Sequence, residues 1–326
     1  MKPPNPGHVE LPVPADASRL PPGRLPTGKL LLALSVVTRF STVLLLCCLA
    51  MWTEYLNLKV GYNHPRLVEL SSGRAMRLFY EASEWFFGLL GDPLVTAQSN
   101  AGMTWSIRIL GVPFTNPVAL SSMLVAEGGA PLGFIVGAVV PLATALLLGR
   151  VFCSYVCPAS LLFFTIGRVR RALGPYLYFP DVHVGRGAAW GVLLGGLALA
   201  AVYGHGVWTL ILPYFAMGQT IFHGIALGVL SVSVASLLLF VSLDLFVGYR
   251  FTCRNLCPTG RLLGAVGRRP LVSVRRQSER CVDRCTSCAD VCPFEVDPKA
   301  DETRDCSLCG ACLVICPTQC LSVGRG

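Results

Sequence analysis

Cys306-Ser307-Leu308-Cys309-Gly310-Ala311-Cys312-Leu313-Val314-Ile315-Cys316-Pro317 decides how the rest of this chain is read. Three cysteines two residues apart let one tight loop wrap a [4Fe-4S] cubane. The fourth, which starts the next element and precedes Pro, points away and ligates a neighbouring cluster. A companion run lies upstream, Cys281, Cys285, Cys288, Cys292 and Pro293, with three residues in its first gap where the other run has two. Two runs in tandem imply two [4Fe-4S] clusters with crossed ligation. Cys281, Cys285, Cys288 and Cys316 bind one, and Cys306, Cys309, Cys312 and Cys292 bind the other. Cys320 is then a spare or a substitute ligand. The runs hold eight of the fifteen cysteines, so electron transfer is the default function. Structural zinc normally uses two Cys-x2-4-Cys pairs across a longer spacer, with no need for Pro. Disulfides need an oxidising compartment, and the charge distribution places this segment in the cytoplasm.

The surrounding chain is too apolar for an ordinary soluble protein. Of its 326 residues 53% are hydrophobic and 14% charged, against about 25% charged in soluble domains. Stretches 131–149, 187–204 and 224–243 are long and uncharged, and 30–52 contains only Arg39, read as snorkelling from near an end. Lys and Arg number four in 1–29, five in 150–186 and twelve in 245–326, none in 205–223 and five across 53–130. The positive-inside rule then gives four transmembrane helices with both termini and the clusters cytoplasmic. The net charge of +9 needs no nucleic acid. It sits on inner loops and beside anionic thiolates, with Arg275, Arg276, Arg280, Arg284 and Arg304 as candidate compensating charges. Residues 1–29 read as a disordered Pro-rich cytoplasmic tail. The first span is longer than a signal-peptide core and is read as a retained helix. Cys47 and Cys48 within it read as small buried hydrophobes.

The chain also repeats itself. Gly149-Arg150-Val151-Phe152-Cys153-Ser154-Tyr155-Val156-Cys157-Pro158 recurs as Gly248-Tyr249-Arg250-Phe251-Thr252-Cys253-Arg254-Asn255-Leu256-Cys257-Pro258. Each copy passes from an outer aromatic (Trp105, Trp208) through a Pro (Pro117, Pro213) and an apolar span to Cys-x3-Cys-Pro. The copies cross in the same direction as two parallel repeats, and their cysteines should meet on the cytoplasmic side. Cysteines four apart share a helix face, while Pro158 and Pro258 should kink or end the helix just before them. Cys153, Cys157, Cys253 and Cys257 could ligate another metal, form dithiol couples or be structural. Asp244, at the inner end of its span, could take up a proton or pair with Arg250.

The outer segment 53–130 includes Arg74 to Leu90, which reads as an interfacial helix that could roof the bundle. A quinol pocket needs an apolar slot with one or two polar groups. Glu81, Asp92, Gln98 and His223 are available, and the sequence does not select among them.

The motifs from Phe152 to Pro158 and Cys253 to Pro258, both cluster runs, and more weakly Asp92-Pro93-Leu94 with Gln98, resemble the NapH family of ferredoxin-type membrane proteins over roughly residues 30 to 320. MauN, the membrane part of NosR and CcoG-type proteins are relatives. The resemblance implies a quinol dehydrogenase subunit, with quinone or quinol as substrate, feeding a periplasmic nitrate reductase or methylamine dehydrogenase type of system. Partners are then membrane lipid, the quinone pool and ferredoxin-type or periplasmic redox subunits. The expected architecture is a mainly α membrane protein. It comprises a tail over 1–29, a four-helix membrane domain over 30–267 with periplasmic segment 53–130, and a small α+β ferredoxin-like domain with two clusters over 268–326. It is expected in the bacterial cytoplasmic membrane. A maturation factor reducing another enzyme's metal, or a redox sensor, is the alternative use of the same parts.

Overall fold

A computed structural model describes residues 25–325 apart from Pro175, His183, Arg186, Asp283, Arg284, Glu295 and residues 301–304. The tail up to residue 24, Arg284 and Arg304 lie outside the described residues. Helix α1 (Leu25–Gly61) starts inside the expected tail and runs for 37 residues. At 1.5 Å per residue it is about 55 Å long, enough to cross hydrocarbon and project on both sides. Among the described residues it is the one helix long and apolar enough to cross a membrane. Three short helices follow: α2 (Pro65–Ser72), α3 (Arg74–Gly88) and α4 (Pro93–Ser99). They pack Val68, Tyr80, Phe87 and Ala97 against Tyr55 and Leu58. Glu84 ties them down, taking the Tyr55 hydroxyl at 2.5 Å and Lys59 Nζ at 2.6 Å. The expected helix at 74–90 therefore sits on the carboxy-terminal end of α1.

An unforeseen sheet comes next. Strands β1 (Gly102–Met103), β2 (Ser106–Ile109) and β3 (Val112–Thr115) pair antiparallel, with Ile107 opposite Phe114 and Arg108 opposite Pro113. The strands are too short to show an alternating pattern in the sequence. β3 packs against the middle of α6 (Leu132–Leu148), where a side chain on Gly137 would stand 2.6 Å from Thr115 Oγ1 and 3.0 Å from its backbone nitrogen.

Around this lie the two repeats. The first has α5 (Pro117–Glu127), α6, α7 (Val151–Tyr155) and α8 (Ala159–Leu173), followed by α9 (Ala188–Tyr203). The second has α10 (Trp208–Ile211), α11 (Pro213–Ala226), α12 (Val232–Ser242) continuing through a π turn at Leu243–Val247, a second π turn at Thr252–Leu256, and α13 (Pro258–Val266). Pro117 and Pro213 each open a helix, where a missing N–H costs nothing. Trp208, Leu212, Tyr214, Phe215, Phe163 and Phe240 form the core between the repeats. The apolar stretches map onto helices of unequal quality. α6 and α9 have 17 and 16 residues, somewhat short of the roughly 20 that span hydrocarbon. Stretch 224–243 is not one helix: α11 ends at Ala226, Gly228 turns with φ 62°, and α12 starts at Val232.

The carboxy-terminal segment closes with β4 (Val272–Arg276) antiparallel to β5 (Leu321–Arg325), and α14 (Ser287–Asp290) and α15 (Ala311–Ile315) lie between them. It docks on the amino-terminal start of α1, where a side chain on Gly28 would meet Leu313 Cβ at 2.8 Å and one on Gly310 would meet Gly28 O at 2.8 Å.

Candidate metal centres

The cysteines fall into three neighbourhoods. Cys281, Cys285, Cys288 and Cys316 line one cavity, joined by Cys320 and Lys299. Cys320 is buried, with its sulfur 3.6 Å from Cys316 Sγ. Cys285 Sγ reaches Ser287 Oγ at 3.5 Å.

The second neighbourhood gathers Cys306, Cys309, Cys312 and Cys292, whose thiols are close enough for the charge of one to raise the pKa of another. Burial, more than those charges, pushes the Cys306 thiol up to about 12. The loop that carries three of them bends through left-handed backbone at Leu308 (φ 53°) and Gly310 (φ 78°), which turns successive cysteines inward. The Val296 amide donates to Cys292 Sγ at 3.3 Å, a hydrogen bond that favours the thiolate.

The third neighbourhood is built by the repeat. Cys157 and Cys257 stand between helices, as their following prolines require, with α8 and α13 starting just beyond. Cys153, Cys157, Cys253 and Cys257 act electrostatically on one another across the two copies. Burial is the main cause that holds the pKa values of Cys157, Cys253 and Cys257 high, Cys257 at about 11, and the neighbouring thiols add to it. Gly260 gives the group room, since a side chain there would fall 2.4 Å from Arg150 Nη2 and 3.6 Å from Cys153 Sγ.

The second and third neighbourhoods are in direct contact. Arg150 N donates to Cys306 O at 3.2 Å, Ser154 Oγ to Ser307 Oγ at 2.6 Å, and Tyr155 Oη to Leu308 O at 2.8 Å. Asp305 pairs with Arg150 at 3.3 Å and Arg261 at 3.1 Å. The Arg150 guanidinium lies 4.6 Å over Phe294, two residues after Cys292.

Among the described residues no three His, Cys, Asp or Glu side chains are close enough to hold a single metal ion. A cubane asks for something different. Its four ligands each take a separate iron of a cage, so they stand apart around a space. The cavity of the first neighbourhood, the inward-bent loop of the second and the all-sulfur donor sets fit that demand.

Other candidates take different places. Arg39 does not snorkel: it is 3% exposed and donates from Nε to Ser154 O at 2.7 Å, because it lies in the amino-terminal half of α1, against which the first cysteine motif packs. Arg275 and Arg280 are exposed, while the arginines buried among the sulfurs are Arg39, Arg150 and Arg250. The recurrence of Arg150 as Arg250 in the repeated phrase was the legible sign of this. Asp244 is buried, and its Oδ1 takes the Thr252 amide at 2.8 Å rather than pairing with Arg250. Asp92 caps α4, Glu81 pairs with Arg77 at 2.9 Å, and Gln98 is exposed.

A family profile described as a 4Fe-4S binding domain (Fer4_5) matches residues 130–175 and 228–277, the two repeat copies with their cysteine pairs. Among curated proteins, the methylamine utilization ferredoxin-type protein MauN of Paracoccus denitrificans is 31% identical over 214 residues. The match covers 65% of each chain, so this protein spans just under two thirds of that relative. The ferredoxin-type protein NapH of Escherichia coli is 30% identical over 63% of this chain and 72% of the relative. NapH of Haemophilus influenzae is 28% identical over 65% and 75%. No solved structure is a significant match.

Proposed function

Since this chain belongs to the NapH family of ferredoxin-type proteins and is an iron-sulfur electron-transfer protein, we propose that it is the membrane subunit of a quinol-oxidising system. In this reading it takes electrons from a lipid-soluble quinol. It delivers them toward a periplasmic redox partner of the nitrate reductase or methylamine dehydrogenase type.

Cys281, Cys285, Cys288 and Cys316 hold one cubane, and Cys306, Cys309, Cys312 and Cys292 a second. Cys153, Cys157, Cys253 and Cys257 form a further all-cysteine set, the one on which the family profile lies, and it takes a third. When bound, such clusters supply one-electron storage at potentials tuned by charge, hydrogen bonds and burial. The protein supplies those settings. Arg150 and Arg250 bring positive charge, Val296 N donates to sulfur, and Ser154, Tyr155 and Arg150 lock the repeat site onto the loop of residues 305–308. α1 crosses the cytoplasmic membrane, with α6, α9 and α12 as the other three spans. The termini and clusters lie inside.

The contact from Arg150 N to Cys306 O carries this reading, because it makes one row of sulfur sites out of the repeat and the tail. The test is to mix the anaerobically purified chain with a naphthoquinol analogue and follow it by electron paramagnetic resonance. A reduced-cluster signal is expected. Clusters that dithionite reduces and no quinol does would refute quinol oxidation and favour a sensor or maturation factor.

A further inference from the structure

Two guanidiniums are buried in this protein with no carboxylate paired to them among the described residues. Arg39 of α1 is 3% exposed, and Arg250, between the two π turns, is 5% exposed. Arg39 uses its Nε on Ser154 O at 2.7 Å, and its two terminal nitrogens make no hydrogen bond among the described residues. Arg250 Nε is buried and partnerless. Its backbone is left-handed at φ 50°, a conformation costly for a residue with a β-carbon. Asp244 lies near enough to act on Arg250, but it gives its Oδ1 to the Thr252 amide and closes no ion pair. The two arginines also act on each other as like charges. A buried charge is costly unless it is paired, and repulsion at low dielectric adds to that cost. Phe164 at 5.6 Å from Arg39 and Tyr249 at 5.8 Å from Arg250 give only the modest attraction of a ring face for a cation. The place calls for an anion.

What surrounds the pair is sulfur. Arg39 acts electrostatically on Cys157 of the repeat and Cys309 of the tail. Arg250 acts on Cys253 of the repeat and Cys292 of the tail. Each arginine therefore serves one cysteine of either set. Hydrogen bonds hold this arrangement: Ser154, which accepts the Arg39 bond, donates to Ser307 beside Cys306, and Tyr155 donates to Leu308 O beside Cys309. Arg150 differs. It is neutralised by Asp305, and the thiols that act on it, Cys153 and Cys257, both belong to the repeat.

We infer that Arg39 and Arg250 are the shared counter-charge of two sulfur sets, the repeat cysteines and the Cys306 set, and that they raise the reduction potentials of both together. The inference rests on the reading that each set holds a cubane. Nearby positive charge favours the reduced, more anionic state of an iron-sulfur group. A residue that merely packed, or merely bridged backbone, would not move two potentials in step.

The experiment is a redox titration of the anaerobically purified whole chain, reduced by dithionite through mediators and followed by electron paramagnetic resonance. Signals are assigned by their loss in Cys153→Ala, Cys309→Ala and Cys285→Ala. Arg39→Gln and Arg250→Gln each lower the midpoints of the repeat and Cys306 signals together, by about a tenfold shift in the one-electron equilibrium, or about 59 mV. Arg39→Lys, which keeps the charge and loses the Nε bond to Ser154 O, restores both. The signal of the Cys281 set stays in place, since no arginine lines its cavity among the described residues. If Arg39→Gln loses iron that Arg39→Lys keeps, the charge is needed to hold the clusters and the inference stands. Iron lost equally from both variants, or midpoints unmoved in both glutamine variants, overturns it alone. A wild type with about eight irons instead of about twelve removes the repeat cluster and the inference with it. None of these readings uses quinol, so quinol oxidation stands or falls separately.

Discussion

Single residues set what each sulfur can do. Cys316 and Cys320, 3.6 Å apart at one wall of the first cavity, give that neighbourhood five thiols where a cubane needs four. Cys316→Ala is therefore expected to keep its iron through Cys320, while the double variant loses about four irons per chain, the content of one cubane. Iron and acid-labile sulfide assays check this. The same assay on Cys153→Ala should show about four irons fewer than wild type; an unchanged count would confine metal to the tail. Arg150 belongs to this scale too. It is 4% exposed, bonded to Asp305 and stacked on Phe294, and breaking a buried pair costs about 3–5 kcal/mol because it strands the other charge. Asp305 keeps Arg261 at 3.1 Å, so Arg150→Met should lie at or below the low end of that range, read as loss of thermal stability in detergent. Arg39 teaches why burial was illegible here. A lone arginine in an apolar run looks the same whether it snorkels or bonds a distant carbonyl, and its partner Ser154 is 115 residues away.

At the level of elements, glycines decide which surfaces touch. Gly137 lets β3 lie directly on α6, and a β-carbon there would overlap Thr115. Gly137→Val should push the hairpin off α6, destabilise by about 1–3 kcal/mol as overpacking does, and open the cavity that Thr115 and Phe114 help to line. Differential scanning in detergent, with the far-ultraviolet spectrum unchanged, measures it. The helix ends at Cys157 and Cys257 were readable in advance, since Pro158 and Pro258 forbid the usual helical continuation through the cysteine before them. The helix starts at Pro117 and Pro213 were readable for the complementary reason. The break at Gly228 was not, because hydropathy is continuous across a turn whose only mark is one glycine.

At the scale of the whole molecule, α1 works as an axis. Its carboxy-terminal end carries α2–α4 through Tyr55 and Leu58, and its amino-terminal end carries the cysteine-rich segment through Gly28 and Leu31. In the proposed topology these ends face opposite sides of the membrane. A reporter that is active only outside the cytoplasm is expected to be active when fused after residue 62 and inactive after residue 325; the reverse pattern would overturn the orientation. The proposed sulfur chemistry was read from the sequence alone, because ligand spacing within a loop is a local property: a cubane reads gaps of two or three residues, and the chain writes them consecutively. The repeat was equally plain, being a phrase copied along the chain. Tertiary structure alone decided how those pieces meet. The contact of Ser154 with Ser307, the bond from buried Arg39 to Ser154 and the buried pair of Arg150 with Asp305 join residues far apart in the chain. Long-range packing and the desolvation it imposes leave no period or spacing in the sequence from which they could be read.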